Sequence, residues 1–182
     1  MLRQTAFGIA LSMVVLASGF VTAPKPGNSY TQKSPQNQQS LNSFSQAATS
    51  NPTFQTSTLE KSVFEKVNQY RVNQGLQKLT LNPNITRQAR IHSQNMAKGK
   101  VPFSHQGFEQ RVKAIPLTYN SASENLAFNI GYTNPANEAI IGWLNSPVHL
   151  KNIQGHYNLT GIGVATNRKG EVYLTQIFLK TK

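Results

Sequence analysis

Hydrophobic side chains recur every three to four residues in three segments, which predicts amphipathic helices. The first helix starts at the capping residue Thr58, ends at Gly75 and buries a stripe of Leu59, Val63, Phe64, Val67 and Tyr70. Asn-Pro pairs at Asn82 and Asn134 open two more helices, because they combine a side-chain cap with proline at the first helical position. Gly99 ends the second helix and Pro147 interrupts the third, whose inward faces hold Ile85, Ala89, His92 and Met96, and Ala139, Ile140, Trp143 and Leu144.

The pattern changes to β-rich runs towards the C-terminus. Residues 161–166 and 172–179 are two such runs, and residues 167–170 between them predict a hairpin. A weaker third strand is predicted for residues 125–130. Helices followed by strands with hairpin-type connections favour the α+β class, in which helices cover an antiparallel sheet.

The N-terminal residues 1–23 have the composition of an export signal. Arg3 supplies a positive charge, residues 7–21 are uncharged and mostly apolar, and small residues follow the apolar core. Pro24 makes cleavage after Ala23 unfavourable, so a retained membrane anchor is the alternative, although the stretch is short for about 30 Å of hydrocarbon. Both interpretations place the bulk of the chain outside the cytoplasm, secreted or associated with the cell envelope.

Residues 24–57 are crowded with Ser, Thr, Asn, Gln and Pro and contain few apolar side chains. Such a segment buries too little surface to offset its ordering entropy, which predicts a disordered polar linker. The folded domain is therefore expected to occupy residues 58–182.

The amino-acid composition excludes several classes of catalytic and metal-binding site. The chain of 182 residues carries a net charge of +12, all six of its acidic residues are Glu, and it has no Cys. This excludes thiol catalysis, disulfides, cysteine-ligated zinc and an Asp-containing triad. The positive charge is interpreted as solubilising, or as an attraction to anionic envelope polymers or lipid headgroups. Nucleic acid is not an expected partner, because no basic-aromatic binding motif is present.

Four polar residues lie where neither helical periodicity nor strand alternation explains them: His105, Glu124, His149 and His156. A buried Glu124 needs a histidine or a backbone donor, so a His-Glu-His cluster is expected. Such a cluster can bind a divalent metal, perform acid–base chemistry or hold loops together. His156 is interpreted as a loop residue and His92 as a core histidine.

The order of the short motifs resembles that of the CAP superfamily, the SCP-like extracellular domain of pathogenesis-related and venom-allergen proteins, in its compact bacterial branch. The resemblance covers residues 59–179 and rests on residues 67–71, 75–76, 81–83, 89–96, 103–105, 123–127, 143–147, 149–153, 161–164 and 173–178. It implies an α-β-α sandwich with a central cleft that holds two His and two Glu. His105, Glu124 and His149 match three of these four positions, and Ser146 stands where the second Glu is found.

This resemblance implies a cleft formed by His105, Glu124, Ser146 and His149 that binds a small ligand, either a lipid-like molecule or a divalent metal, without catalysis. No cofactor is required, and a zinc ion would be held by His105 and His149, with Glu124 orienting one imidazole. One alternative is a hydrolase with a cleft histidine as base and Glu124 as its orienter. The other is a passive envelope adhesion module. Ser104 and Ser146 are poor candidates for a nucleophile, since neither lies in a Gly-x-Ser-x-Gly turn.

Overall fold

The computed structural model describes residues 52–182, and their side chains from residue 56 onwards. The predicted signal or anchor and residues 24–51 of the predicted linker lie outside the described residues. The elements follow in the order α1 Pro52–Asn73, β1 Thr80–Leu81, α2 Pro83–Ala97, α3 Phe108–Lys113, β2 Tyr119–Ile130, α4 Pro135–Leu144, α5 Pro147–Gln154, β3 Leu159–Thr166 and β4 Glu171–Thr181.

A four-stranded sheet with the order β1-β3-β4-β2 forms the middle layer. β4 pairs antiparallel with both β3 and β2, which confirms the predicted hairpin and the predicted antiparallel sheet for the three long strands. The two-residue strand β1 adds to β3 in parallel, with Thr80 opposite Leu159, so the complete sheet is mixed.

Helices cover both faces of this sheet, and each face has its own core. On one side α1, α4 and α5 pack around Trp143, Leu174 and Phe178. On the other side α2 and α3 pack around Ile85 and Ile177. Because successive residues of a strand point to opposite faces, neighbours such as Ile177 and Phe178 serve different cores. The predicted α+β class and α-β-α sandwich are confirmed.

Asparagine–proline pairs begin the helices as expected. Asn82 Oδ1 accepts the backbone N–H groups of Asn84 and Ile85 at 2.9 and 3.2 Å, and Asn134 Oδ1 accepts that of Asn137 at 3.1 Å. The predicted start of α1 at Thr58 is wrong, since the helix begins at Pro52, inside the predicted linker. Pro52 also follows an asparagine, so the same sequence signal was present there. Pro147 both ends the predicted third helix and starts α5.

Two glycines let α2 lie directly on the sheet. A Cβ atom at Gly161 would overlap the backbone of Ile85 and Thr86, and one at Gly163 would overlap the backbone of Ala89 and Arg90. The helix therefore approaches β3 at backbone distance, which only glycine permits.

Side chains satisfy the outward-facing backbone groups of β2 and β3. Trp143 Nε1 donates to Leu126 O at 2.8 Å, and Asn152 Nδ2 donates to Glu124 O at 3.3 Å. On β3 the backbone N–H of Val164 donates to Glu60 Oε1 at 3.1 Å. These contacts cover edge groups that would otherwise be open to pairing with another strand. None of the helices within residues 52–182 is long and apolar enough to cross a bilayer.

Candidate functional site

Glu124 is the centre of the candidate site, with a side chain that is only 1% exposed. His105 Nδ1 lies 2.9 Å from its Oε1 atom. Arg111 Nη2 donates to both carboxylate oxygens, at 2.7 and 2.9 Å, and Arg111 Nε donates to Oε2 at 3.2 Å. The predicted contact between His105 and Glu124 is therefore present, with a guanidinium added on the same carboxylate.

Three elements supply these groups. Glu124 belongs to β2 and is paired with Ile177 of β4, so it projects to the face that α2 and α3 cover. Arg111 comes from α3, and His105 from the loop between α2 and α3. That loop is fixed at two carbonyl oxygens, because Arg111 Nη1 donates to Gln106 O at 2.7 Å and His92 Nε2 donates to Ser104 O at 2.9 Å.

These contacts define the tautomer of His105. A guanidinium is always charged in proteins and here binds both oxygens of Glu124, which favours the ionised carboxylate. An ionised carboxylate only accepts hydrogen bonds, so His105 Nδ1 carries the proton. In the neutral ring Nε2 then holds the lone pair, and the imidazole is oriented as a base or a hydrogen-bond acceptor.

His149 lies in the first turn of α5 and is 6% exposed. Its backbone oxygen accepts from Asn125 Nδ2 at 3.2 Å, and Asn125 is the neighbour of Glu124 in β2. Burial lowers the pKa of His149, and protonation of His105 would lower it further. The structure thus brings His105 and Glu124 into direct contact and joins the backbone of His149 to Asn125, the neighbour of Glu124 in β2.

Ser146 occupies the N-cap position of α5, three residues before His149, and is half-buried. Its side chain makes no capping hydrogen bond, while its carbonyl oxygen accepts the backbone N–H of Leu150 at 2.8 Å. Ser146 stands where the resemblance places the second Glu. Because it is an uncharged N-cap residue, it adds no charge to the site.

The donor set does not fit a structural or catalytic zinc ion. Across residues 52–182, no three or more His, Cys, Asp or Glu side chains are arranged to hold a metal. Both oxygens of Glu124 are occupied by Arg111 and one also by His105, which leaves two imidazoles as ligands beside a positive guanidinium. Structural zinc sites have four protein ligands and catalytic sites three.

The other polar residues considered in the sequence analysis lie outside the candidate site. His156 is exposed in the loop after α5, and His92 is a core residue at 3% exposure, both as predicted. Burial lowers the pKa of His92, and the nearby charge of Arg111 lowers it further. Ser104 Oγ accepts the backbone N–H of Gln106 at 3.3 Å and so closes its own loop.

Sequence reasoning missed Arg111 and the helix that carries it. α3 has six residues and buries a single one, Val112, so it has no repeated apolar stripe. A long-range ion pair leaves no periodicity in the sequence. The available signal was chemical, because a buried Glu124 requires a strong donor.

The fold and this site define an α-β-α sandwich domain of the SCP type. A sequence model of the CAP family, the cysteine-rich secretory protein family, matches residues 64–178. The chain therefore belongs to the CAP family, although it contains no Cys.

The uncharacterized protein YkwD of Bacillus subtilis is 35% identical to this chain over 130 residues, which are 68% of this chain and 48% of YkwD. The chain thus spans about half the length of this relative. Two solved structures share the fold with a TM-score of 0.60 each. An extracellular SCP-domain protein of Bacillus anthracis is 24% identical, with 71% of this chain and 42% of that chain covered. An outer surface protein of Borrelia burgdorferi is 19% identical, with 69% and 94% covered.

Proposed function

We propose that this protein is an extracytoplasmic binding protein whose cleft accepts a small lipid-like ligand at His105, Glu124 and His149, without catalysis. The observation that carries the proposal is the three-way contact at Glu124. Its carboxylate is engaged by Arg111 and His105, so it orients the imidazole instead of taking part in chemistry itself. Descriptions of the neighbours as extracellular and outer surface proteins support the location.

The side chains around the site suit an amphipathic ligand. A fixed imidazole offers a hydrogen bond to a polar head. Val148, which precedes His149, is 40% exposed. This apolar side chain is available to a hydrocarbon tail, and the net charge of +12 favours anionic headgroups or envelope polymers.

Vesicle binding of the full chain tests this function. Vesicles of equal parts phosphatidylglycerol and phosphatidylcholine are sedimented with wild type, with His105→Gln and with the matched loop variant His156→Gln. We expect His105→Gln to weaken binding at least about fivefold, the effect of losing one good hydrogen bond, while His156→Gln binds like wild type. Equal binding of all three proteins would refute a role for the cleft.

Salt separates cleft binding from surface attraction. Binding through headgroup charge alone falls steeply as salt is raised, since exposed charges are screened. Binding that persists at high salt and depends on His105 indicates the cleft. Binding that disappears in every variant at high salt indicates a passive envelope adhesion module instead.

A hydrolase is the second candidate, and one observation favours it. The hydrogen bond from His105 Nδ1 to a buried carboxylate is the relation of a general base to its orienting group. Casein and peptidoglycan fragments incubated with wild type and with His105→Gln test it. Cleavage by wild type that His105→Gln abolishes would replace the binding proposal with catalysis.

Zinc titration tests the metal expectation. Because the donor set offers two imidazoles, we expect zinc to change the Tm of wild type and of His105→Ala equally. A Tm increase that occurs only in wild type would establish a metal site at His105.

A further inference from the structure

A separate cavity of about 400 Å³ lies between α2, α3 and the loop that carries His105. Its lining includes His92 and Arg111, whereas His105, Glu124 and His149 are not part of it. The cavity therefore lies beside the candidate cleft, and Arg111 is the residue that lines it and also binds Glu124. Its size is in the range of small-molecule sites.

The polar lining is one-sided in charge. Lys100 and Arg111 are its two cations, Asn95 and Gln106 add two amides, and none of its lining residues is acidic. Arg111 is already paired with Glu124, so Lys100 carries the uncompensated positive charge of the lining. Lys100 is exposed, and among the carboxylates of the described domain none forms an ion pair with it.

The backbone fixes this lysine in place. The N–H of Lys100 donates to Asn95 O at 2.9 Å, and the N–H of Gly99 donates to Met96 O at 2.9 Å, so the chain is held to the end of α2. The main chain at Lys100 is therefore anchored beside the cavity, within reach of its flexible side chain.

An apolar wall completes the cavity. Ile91 is 43% exposed on α2, and Val101 and Pro102 follow Lys100 in the loop. A charged group beside apolar side chains is the arrangement that recognises a small organic anion with a hydrocarbon part.

We propose that this cavity binds a small organic monocarboxylate, with its carboxylate at Lys100 and Arg111 and its hydrocarbon part against Ile91, Val101 and Pro102. The site is independent of the proposed cleft function, since none of the three cleft residues lines it.

Hexanoate tests the proposal against its uncharged analogue hexanamide. Both are titrated into the ¹⁵N-labelled full chain, and backbone amide shifts at Ile91, Val101 and Gln106 report binding. The variants are Lys100→Gln and the matched exposed lysine Lys98→Gln, which lies two residues away and does not line the cavity. Because both lysines are exposed, we expect both variants to keep the wild-type fold, and their amide spectra check this.

We expect millimolar binding of hexanoate to wild type and to Lys98→Gln, and an affinity about fivefold lower for Lys100→Gln, the effect of losing one charge-assisted contact. Hexanamide should bind at least as weakly as hexanoate binds Lys100→Gln. Equal affinity of the two lysine variants, or of the two ligands, would overturn the proposal, as would the absence of shifts at 50 mM hexanoate, a concentration on the order of ten times the expected Kd.

The variant His105→Gln separates this site from the cleft. Hexanoate binding that survives His105→Gln supports an independent cavity, even if vesicle binding is lost. Hexanoate binding that is lost in His105→Gln and retained in Lys100→Gln would place the anion in the cleft and overturn the proposal.

Discussion

Two buried glutamates each hold an arginine through both carboxylate oxygens, and they differ in their third partner. Glu60 on α1 accepts from Arg90 Nε and Nη2 at 2.8 and 2.5 Å, and its third partner is the backbone N–H of Val164. Glu124 on β2 accepts from Arg111, and its third partner is the imidazole of His105. The first set joins α1, α2 and β3, and the second joins β2, α3 and a loop.

The comparison distinguishes an ion pair whose third contact is the backbone from one whose third contact is a side chain. In the Glu60 set the third partner is a backbone amide of β3, which does not titrate. The His105 side chain is 17% exposed, so the Glu124 set holds an imidazole that reaches solvent. The two glutamates therefore make the same ion pair with arginine and differ in whether the third partner is buried backbone or a partly exposed imidazole.

Their arginines also differ in access to water. The Arg90 side chain is 48% exposed, whereas that of Arg111 is 11% exposed. Loss of the carboxylate leaves Arg90 free to be hydrated but leaves Arg111 as a buried, uncompensated charge. This difference orders the expected costs of breaking each pair.

The largest effect is expected for Glu124→Gln. Removing one member of a buried pair costs about 3 kcal/mol or more, because the remaining charge stays buried. Urea unfolding at pH 7 measures this loss. The double variant Glu124→Gln/Arg111→Gln should regain part of the stability, since neither charge then remains. A single-variant loss below about 1 kcal/mol would contradict the burial of this pair.

A change at Gly163 breaks the Glu60 set without touching either charge. Gly163→Ala places a Cβ against the backbone of Arg90, which pushes α2 away from β3, and overpacking of this kind costs about 2–3 kcal/mol. Gly142→Ala on α4, where a Cβ meets no atom within 4 Å, is the control and should be neutral or slightly stabilising. Equal unfolding midpoints of the two variants would show that the helix does not depend on this close approach.

The sequence predicts the elements that carry a local signal, such as a helix cap, a turn or a periodic pattern of apolar residues. Asn82-Pro83 and Asn134-Pro135 locate two helices to the residue, and the turn around residues 167–170 locates the hairpin. The cluster of His105 and Glu124 follows from the cost of burying a lone carboxylate.

The elements and contacts that were not predicted from the sequence have no periodic pattern of apolar residues. β1 contains two residues and α3 six, too few for a period to be visible. The bonds of Arg111 to Glu124 and of Arg90 to Glu60 join residues that are brought together only by the tertiary fold. The sequence shows which residues are charged, but it does not show which arginine pairs with which glutamate.

A smaller effect is expected for Glu60→Gln. Arg90 is half-exposed and can be hydrated when the carboxylate is removed, and the amide oxygen of Gln still accepts the N–H of Val164. We expect a loss of about 1–2 kcal/mol in urea unfolding, clearly below that of Glu124→Gln. Losses of equal size for the two variants would show that the exposure of the arginine does not set the cost.

The smallest effect is a pH dependence of the free energy of unfolding. We expect it from the buried histidines His92 and His149 and not from the Glu60 set. Burial lowers the pKa of His92 and of His149 in the folded protein. The unfolded chain therefore binds more protons as the pH falls through about 6.5, and stability decreases from there towards the lower folded pKa values. We expect the free energy of unfolding to fall between pH 7.5 and 5.5.

His92→Gln should flatten this dependence, because it removes one of the two groups and keeps an N–H donor for Ser104 O. His156→Gln, at an exposed loop position, is the control and should retain the slope of wild type. Chemical unfolding at several pH values measures both slopes. The Glu60 set has no imidazole, so Glu60→Gln should lower stability equally at every pH in this range. A wild-type slope that persists in His92→Gln and in His149→Gln would show that neither buried imidazole couples protonation to folding.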